Sequence, residues 1–279
     1  MSLGASRDEF RFPARVPARK TFSAAVRFGS CDLGEKGYGF PPMQISRRSF
    51  LERALGCSLV AQSLRRGDAA VPPGVAPSEL VVWPLDNLRA VGGATPTVLG
   101  GPRLVVDSGR TVLGFNGESD GLIFPQNPLA GQAAFTIEVL FRPDGDGPPA
   151  QRFVHLEDSH QNRALLETRV TADKKWYLDT FLYAPPQEPG LTLVDPNQLH
   201  PCGRWYWAAL VYDGEVMAHF VNGVKERQGM IKFGPMRAGR VSLGVRLNKV
   251  FWYKGLLAEI RFHAKALAPA SLQTDPPRR

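Results

Sequence analysis

One segment of the chain carries a regular series of side chains that could contact a ligand. Residues 176–183 read Trp-Tyr-Leu-Asp-Thr-Phe-Leu-Tyr, and side chains alternate between the two faces of a strand. One face therefore presents Tyr177, Asp179, Phe181 and Tyr183. Aromatic rings with an interposed acid suit stacking on the C–H surface of a sugar and hydrogen bonding to its hydroxyl groups. We predict that these residues bind a ligand; the alternative is that both faces are buried and the rings only pack.

A second aromatic group lies nearer the end of the chain. Phe251, Trp252 and Tyr253 stand just before Gly255, which is a sequence typical of a hairpin rim. We add Trp252 to the predicted ligand-binding residues.

Carboxylates are the other side chains whose spacing could do chemistry, because glycoside hydrolysis needs two acids that converge. Glu157 and Asp158 are adjacent, so on a strand they would face opposite sides. The acids of segment 144–146 are two residues apart but lie in a loop rich in Gly and Pro. Segment 165–169, with Glu167 at its centre, fits the solvated polar face of an antiparallel sheet. The sequence thus predicts no catalytic residue, and we interpret the protein as not an enzyme.

Strands are the elements that must position these residues, since the dominant period from residue 79 onward is two. Segment 135–141 alternates apolar and other residues, and Asp-Gly at 213–214 and Asn-Gly at 222–223 are strong hairpin signals. Helical patterning is almost absent apart from one short turn at 269–273. Many short strands with turns about every ten residues predict an all-β fold, an antiparallel β-sandwich or jelly roll.

Five segments together resemble the laminin G-like domains of the concanavalin A-like lectin/glucanase superfamily. They are Trp83-Pro84-Leu85-Asp86, the hairpin 113–125, the strand 135–143, the hairpin 205–223 and the closing strand 255–267. The chain departs from the usual pattern at Leu140, where Trp is common, and at Leu257-Ala258, where Ile-Asp is common. The resemblance implies two curved antiparallel sheets packed face to face, and it says more about fold than about ligand.

The resemblance also implies what a catalytic or metal site would look like. Glucanases of the superfamily carry Glu-x-Asp-x-x-Glu on one strand, and this run is absent from the sequence. Relatives often bind calcium at loop rims through carboxylate and carbonyl oxygens, as a hard cation requires. Asp144 and Asp146 are weak candidates for such ligands; the alternative is that they only shape a tight turn. No cofactor is certain, and Ca2+ is the one to test.

Residues 46–52 resemble the twin-arginine export signal, Ser/Thr-Arg-Arg-x-Phe-Leu-Lys. Arg47, Arg48, Phe50 and Leu51 match, and Glu52 replaces the usual Lys. The apolar stretch that follows is far shorter than the roughly 20 residues of a membrane span, as in a cleavable signal. The alternative is a short amphipathic helix that happens to contain two arginines. The sequence predicts export by the twin-arginine route to a periplasmic, cell-surface or secreted location.

This interpretation divides the chain into five parts. Met43 would give a signal of normal length, so what precedes it is either an over-extended start or a disordered leader. The predicted parts are a leader at 1–42, a signal peptide at 43–70, a linker at 71–78, a laminin G-like jelly-roll domain at 79–273 and a frayed tail at 274–279.

Charge and cysteine content favour an exported domain over a nucleic-acid-binding protein. The chain has 34 basic and 26 acidic residues, a net charge of +8. Residues 1–70 contain 12 of the basic and 6 of the acidic residues, so the remainder is only +2. Nucleic-acid binding would need a basic stripe on the folded domain. After removal of the leader only Cys202 remains, which excludes an intramolecular disulfide.

The sequence thus predicts an exported, non-catalytic binding module that recognises carbohydrate through a groove or rim of the sandwich. The expected partner is a glycan, or an extracellular or cell-surface protein, with no nucleic acid and no transmembrane span in the mature chain. The alternatives are a protein-adhesion or structural module of the cell surface and a divergent polysaccharide hydrolase or lyase.

Overall fold

The fold is known from a computed structural model, which describes residues 79–186 and 189–277. These residues form sixteen β-strands and one 3-10 turn. The strands are β1 Leu80–Pro84, β2 Thr97–Leu99, β3 Arg103–Asp107, β4 Arg110–Asn116, β5 Gly121–Phe124, β6 Phe135–Pro143, β7 Ala150–Asp158, β8 Arg163–Val170, β9 Lys175–Tyr183, β10 Leu191–Val194, β11 His200–Pro201, β12 Tyr206–Tyr212, β13 Val216–Val221, β14 Val224–Met230, β15 Gly239–Leu243 and β16 Lys254–His263; the turn is Pro269–Ser271. The predicted leader, signal and linker lie outside the described residues.

The strands form two eight-stranded antiparallel sheets. The first sheet has the order β14-β13-β12-β6-β16-β4-β3, and β1 pairs with β16. The second has the order β10-β9-β8-β7-β15-β5-β2, and β11 pairs with β9. The two sheets pack face to face, so the predicted all-β antiparallel sandwich is confirmed.

The core between the sheets is built by alternation along the strands. On β6 the apolar residues Phe135, Ile137, Val139 and Phe141 are all fully buried in one cluster, as their period of two predicts. Phe141 stacks on Phe153 of the second sheet with ring centroids 4.6 Å apart. Contacts of this kind join the sheets through apolar area removed from water.

Strand β9 packs one of its two faces, the one with Trp176, Leu178 and Leu182, into the same core. Trp176 and Leu182 are fully buried, and Leu178 is nearly so. The Trp176 ring packs edge-on against Phe141 at 5.0 Å. Because one face of β9 is fixed in the core, the alternate residues must lie on the outer face of the second sheet.

Four strands at or near the edges of the sheets were not expected from the sequence, namely β2, β10, β11 and β14. Strand β10 is short, and β14 carries Lys225, Glu226, Arg227 and Gln228 in succession, with most of its residues exposed. A polar edge strand lacks the alternation that marks a half-buried strand, and charge on an edge also discourages pairing between molecules. No helix in the described ranges is long and apolar enough to cross a membrane.

Candidate functional site

The outer face of the second sheet carries two facing rows of side chains, one from β8 and one from β9. The register pairs Arg163 with Tyr183, Leu165 with Phe181, Glu167 with Asp179, and Arg169 with Tyr177. Directly opposed residues of an antiparallel pair have Cβ atoms roughly 4.5–5.5 Å apart. The rows therefore form one continuous patch, which includes all the β9 residues predicted to bind a ligand.

A cleft of about 240 Å³ lies on this patch. Strands β7, β8, β9 and β10 and the loop after β15 contribute to its wall. The lining residues are Arg152, Arg163, Leu165, Glu167, Arg169, Asp179, Phe181, Thr192 and Arg246. Of the residues predicted from the sequence, Asp179 and Phe181 line the cleft, while Tyr177 and Tyr183 flank it on the same strand.

Ion pairs connect the acids of the cleft to two of its arginines. Arg169 Nη2 lies 2.6 Å from Asp179 Oδ2 and 3.6 Å from Glu167 Oε2. Arg152 Nη2 lies 2.9 Å from the same Glu167 oxygen. Both carboxylate side chains are almost completely buried, with exposures of 4% for Glu167 and 3% for Asp179. The solvated polar face predicted for segment 165–169 is therefore wrong, because the network shields both acids from water.

Burial changes the protonation of this network. It raises the pKa of Glu167 to about 7, mainly by desolvation and then through the charge of Asp179, against the effect of the arginines. Burial also raises the pKa of Asp179, although the hydrogen bond from Arg169 opposes the rise. The site thus holds one carboxyl group that changes charge near neutral pH.

Aromatic rings border the charged part of the cleft. The Arg163 guanidinium lies over the Tyr183 ring, 4.5 Å from its centroid. Tyr183 in turn is nearly parallel to Phe181, with centroids 6.2 Å apart. Tyr183 is 7% exposed, whereas Phe181 and Tyr177 are half-buried. Phe181 is therefore the ring with an accessible surface in the cleft, and Tyr183 mainly supports Arg163.

The second aromatic group meets the cleft through a different residue from the one predicted. Phe251 covers the Arg152 guanidinium at 3.7 Å from the ring centroid, and its carbonyl oxygen accepts a hydrogen bond from the Arg152 backbone N–H at 2.9 Å. Tyr253 is fully buried in the core. Trp252 is half-buried and is not among the residues that line the cleft, so its binding role stays a prediction.

A buried histidine holds the loop that supplies Arg246. His155 on β7 is 1% exposed, and its Nδ1 accepts a hydrogen bond from the Leu247 backbone N–H at 3.1 Å. The pKa of His155 is lowered to about 3, first by burial and then by the charges of the nearby arginines, of which Arg246 has the largest effect. The neutral ring required by this bond is thus the favoured form.

The predicted calcium candidates, Asp144 and Asp146, each lie near a basic side chain. Asp146 pairs with Lys254 Nζ at 2.7 Å, and Asp144 lies 3.7 Å from Arg142. Among the described residues no group of three or more His, Cys, Asp and Glu side chains could hold a metal ion. The geometry of these two acids therefore gives the calcium hypothesis no support.

A larger hollow of about 470 Å³ involves Arg103, Asn116, Ser119 and Asp120. Its polar groups mainly stabilise turns. The Asp120 carboxylate accepts hydrogen bonds from the backbone N–H groups of Gly101 and Asn116, at 2.8 and 3.1 Å. The Asn116 side chain caps the turn that contains Ser119. Since Asn116, Ser119 and Asp120 already have partners, this hollow is a weaker candidate than the arginine-lined cleft.

Sequence reasoning missed the four arginines, which dominate the cleft. Arg163 and Arg169 share the period of two with Glu167, so their common face was readable from the sequence. Their position opposite Tyr183 and Tyr177 depends on the pairing of β8 with β9, and Arg246 comes from a loop. Neither the pairing nor the loop position follows from local pattern.

The sequence of the sandwich matches a known family. Residues 116–273, more than half of the chain, match the Laminin_G_3 family of the concanavalin A-like lectin/glucanases superfamily. The chain belongs to this superfamily. As a concanavalin A-like domain it has the fold that its sequence motifs implied. No curated protein matches it significantly in sequence.

Solved structures share the concanavalin A-like fold at low sequence identity. Domain 4 of AbnA, a GH43 extracellular arabinanase from Geobacillus stearothermophilus, in complex with arabinotriose, has a TM-score of 0.53 and 18% identity, over 68% of this chain and 95% of that one. The binding domain of botulinum neurotoxin DC in complex with SialylT has a TM-score of 0.50 and 13% identity, over 69% of this chain and 50% of that one. At these identities the likeness shows the fold alone.

Proposed function

We propose that the protein is a non-catalytic carbohydrate-binding module and that the cleft on the outer face of the second sheet is its binding site. The observation that carries the proposal is the wall of the cleft, which the half-buried ring of Phe181 shares with the side chains of Arg163 and Arg169. A ring beside hydrogen-bond donors matches the apolar faces and hydroxyl groups of a sugar.

The structural neighbours give this proposal additional support. The arabinanase domain was solved with arabinotriose and the neurotoxin binding domain with SialylT. A fold of this kind therefore presents saccharide sites in at least some proteins. The position of the site in this chain rests on its own residues, because fold alone does not determine function.

A glycoside hydrolase is the second candidate, and one observation favours it. Glu167 and Asp179 are direct cross-strand partners on one face of the sheet, and hydrolysis of a glycosidic bond needs two carboxyl groups close together. The binding role is favoured because Arg152 and Arg169 engage both acids. Release of reducing ends from a bound oligosaccharide, abolished in Glu167→Gln, would establish the hydrolase and overturn the non-catalytic proposal.

The binding proposal is tested by a glycan array probed with the purified protein, once with Ca2+ and once with a chelator. We expect binding to a defined class of glycans, with a weaker signal for Phe181→Ala while its near-UV circular dichroism spectrum is unchanged. Loss under chelator would reveal a calcium dependence that the geometry of Asp144 and Asp146 does not suggest. An array without signal in both conditions would refute carbohydrate binding and favour a protein-adhesion or structural role.

We also propose that the protein is exported by the twin-arginine route to a periplasmic, cell-surface or secreted location. Arg47, Arg48, Phe50 and Leu51 lie outside the described residues, so the proposal rests on the sequence motif. Replacing both arginines by lysine should leave the precursor in the cytoplasm, as shown by cell fractionation and immunoblotting. Unchanged export of the double-lysine variant would refute the assignment of this route.

A further inference from the structure

The charges of the cleft do not balance within the protein. Four arginines line it, Arg152, Arg163, Arg169 and Arg246, against two carboxylates. Arg169 and Arg152 pair closely with these acids. The nearest acid to Arg163 is Glu157, at 4.0 Å, and no residue that the structure describes forms a hydrogen bond or ion pair with the Arg246 side chain. The cleft therefore has an excess of positive charge on the side formed by β7, the start of β8 and the loop after β15, where Arg163 and Arg246 have no close acid.

Buried donors on that side also lack acceptors. Arg152 Nε, Arg152 Nη1 and Arg163 Nε are buried, and no acceptor of the described residues reaches them. Leaving a buried charged donor without a partner costs more than about 1–3 kcal/mol, and most such groups in folded proteins have a partner. The Arg152 side chain is only 11% exposed. The unmet hydrogen-bonding capacity of these donors adds to the excess of positive charge that an anionic ligand in the cleft would offset.

The shape of the donors selects among acceptors. A guanidinium group presents its N–H donors in a planar fork, which matches the two oxygens of a carboxylate and gives short, charge-assisted hydrogen bonds. A neutral sugar hydroxyl would use the donors singly and leave the positive charge uncompensated. Phe251 holds the Arg152 fork by stacking on it at 3.7 Å, and Tyr183 supports Arg163 in the same way at 4.5 Å.

We infer that the cleft binds an acidic glycan, in which a sugar carboxylate pairs with Arg152, Arg163 and Arg246 while a sugar ring packs on Phe181. This inference rests on the proposed function and specifies its ligand class. Uronic acids and sialic acids both present such a carboxylate. The guanidinium groups of the cleft would pair with it in either kind of sugar.

The test compares matched acidic and neutral saccharides by isothermal titration calorimetry with the full protein. The probes are oligogalacturonate with its carboxyl-reduced counterpart, and sialyllactose with lactose. We expect at least one acidic member to bind roughly tenfold or more tightly than its neutral partner, and its affinity to fall as salt is raised. Which pair shows the preference distinguishes a uronic acid from a sialic acid.

Substitutions locate the effect. Arg246→Gln and Arg163→Gln should weaken binding of the acidic saccharide roughly tenfold or more and remove most of its preference over the neutral one. Arg240→Gln is the matched control, because Arg240 is exposed on β15 and does not line the cleft. Thermal unfolding of each variant shows whether the fold is retained, and the comparison of saccharides on the unaltered protein does not depend on any variant.

The outcomes distinguish failure of the acidic-glycan inference from failure of the carbohydrate-binding proposal. Equal affinity for acidic and neutral members of both pairs would overturn the inference and leave the carbohydrate-binding proposal standing. Binding of none of the four probes, together with a glycan array without signal, would overturn both. An equal loss of acidic-saccharide affinity in Arg240→Gln would show general attraction to a basic surface and would also overturn the assignment to the cleft.

Discussion

Arg169 Nε donates a hydrogen bond to Asp179 Oδ2 at 2.7 Å, and the Nη2 atom of the same guanidinium lies 2.6 Å from that oxygen in an ion pair. The two residues lie on neighbouring strands of the second sheet. Asp179 was predicted to contact a ligand directly, yet its side chain is 3% exposed and its charge is used within the protein. Its structural role is to hold Arg169 in place at the wall of the cleft, next to Glu167.

Replacement of Asp179 by Asn should lower the pKa of Glu167 from its value of about 7. The charge of Asp179 is the second cause of that raised pKa after burial, and Asn keeps the shape without the charge. The measurement is a pH titration of the Glu side-chain carbonyl signals by 13C NMR, with Glu167→Gln to assign the resonance. A Glu167 pKa that is unchanged or higher in Asp179→Asn would contradict the proposed coupling.

The two stacked rings on β9 should respond differently to truncation. Phe181→Ala should weaken glycan binding by roughly two- to tenfold, the equivalent of about 0.5–1.5 kcal/mol for one ring contact, and leave stability nearly unchanged. Tyr183→Ala should cost about 1–3 kcal/mol of folding free energy, because Tyr183 is 7% exposed and supports Arg163. Calorimetric titration and denaturant unfolding measure the two effects. Equal destabilisation by both substitutions would show that Phe181 is also a packing residue.

The fold could be predicted from the sequence because its determinants are local. The alternation of β6, with Phe135, Ile137, Val139 and Phe141, is visible within seven residues and corresponds to the face of the strand that packs in the main core. The turns after Asp213 and Asn222 are equally local. Strand β14 was missed because its charged sequence at the sheet edge obeys no burial pattern.

The site could be predicted only in part because its determinants are long-range. The face of β9 that carries Asp179 and Phe181 followed from alternation. The burial of Glu167 depends on Arg152 and Arg169 lying on both sides of it, and Arg152 reaches it from β7 across a sheet pairing that includes a bulge. A charged residue on an outer face is usually solvated, so only the assembled sheet reveals the network.

Substitution of Gly255 should destabilise the sandwich strongly. Its φ is +146°, and a Cβ atom there would collide with the Arg142 carbonyl oxygen and with the Tyr253 ring, which are fixed in the structure. We expect Gly255→Ala to lower the free energy of unfolding by about 2 kcal/mol or more.

Gly131→Ala is the matched control for this substitution. Gly131 also has a positive φ, +83°, but nothing lies within 4 Å of the position of its added Cβ. Its substitution should cost only the backbone strain, of order 1 kcal/mol. Thermal or denaturant unfolding measures both variants, and a similar loss in the two would show that the collision at Gly255 is relieved by local movement.

The buried His219 should make the protein less stable in mild acid. His219 is completely buried between the sheets, where its Nδ1 lies 2.9 Å from the Thr180 hydroxyl and its Nε2 lies 3.8 Å from Glu226 Oε2. Its pKa is lowered from 6.5 to about 4, mainly by burial and then by the charge of Arg227, while the charge of Asp195 opposes the change. The folded state therefore binds fewer protons than the unfolded state between pH 6.5 and about 4.

It follows that the protein keeps its full stability with respect to His219 above pH 6.5 and loses it as the pH falls toward 4, by at most about 1.4 kcal/mol per pH unit.

Two other buried groups also make stability depend on pH. His155, whose pKa is lowered to about 3, acts in the same direction as His219. Glu167 acts in the opposite direction, because its raised pKa makes the protein less stable as the pH rises from 4.5 to about 7. The difference in free energy of unfolding between the unaltered protein and His219→Gln, followed against pH, isolates the contribution of His219. We expect a shallower pH dependence in denaturant unfolding of His219→Gln and an unchanged one in the exposed control His160→Gln. Parallel pH profiles for the unaltered protein and His219→Gln would show that His219 does not titrate in this range.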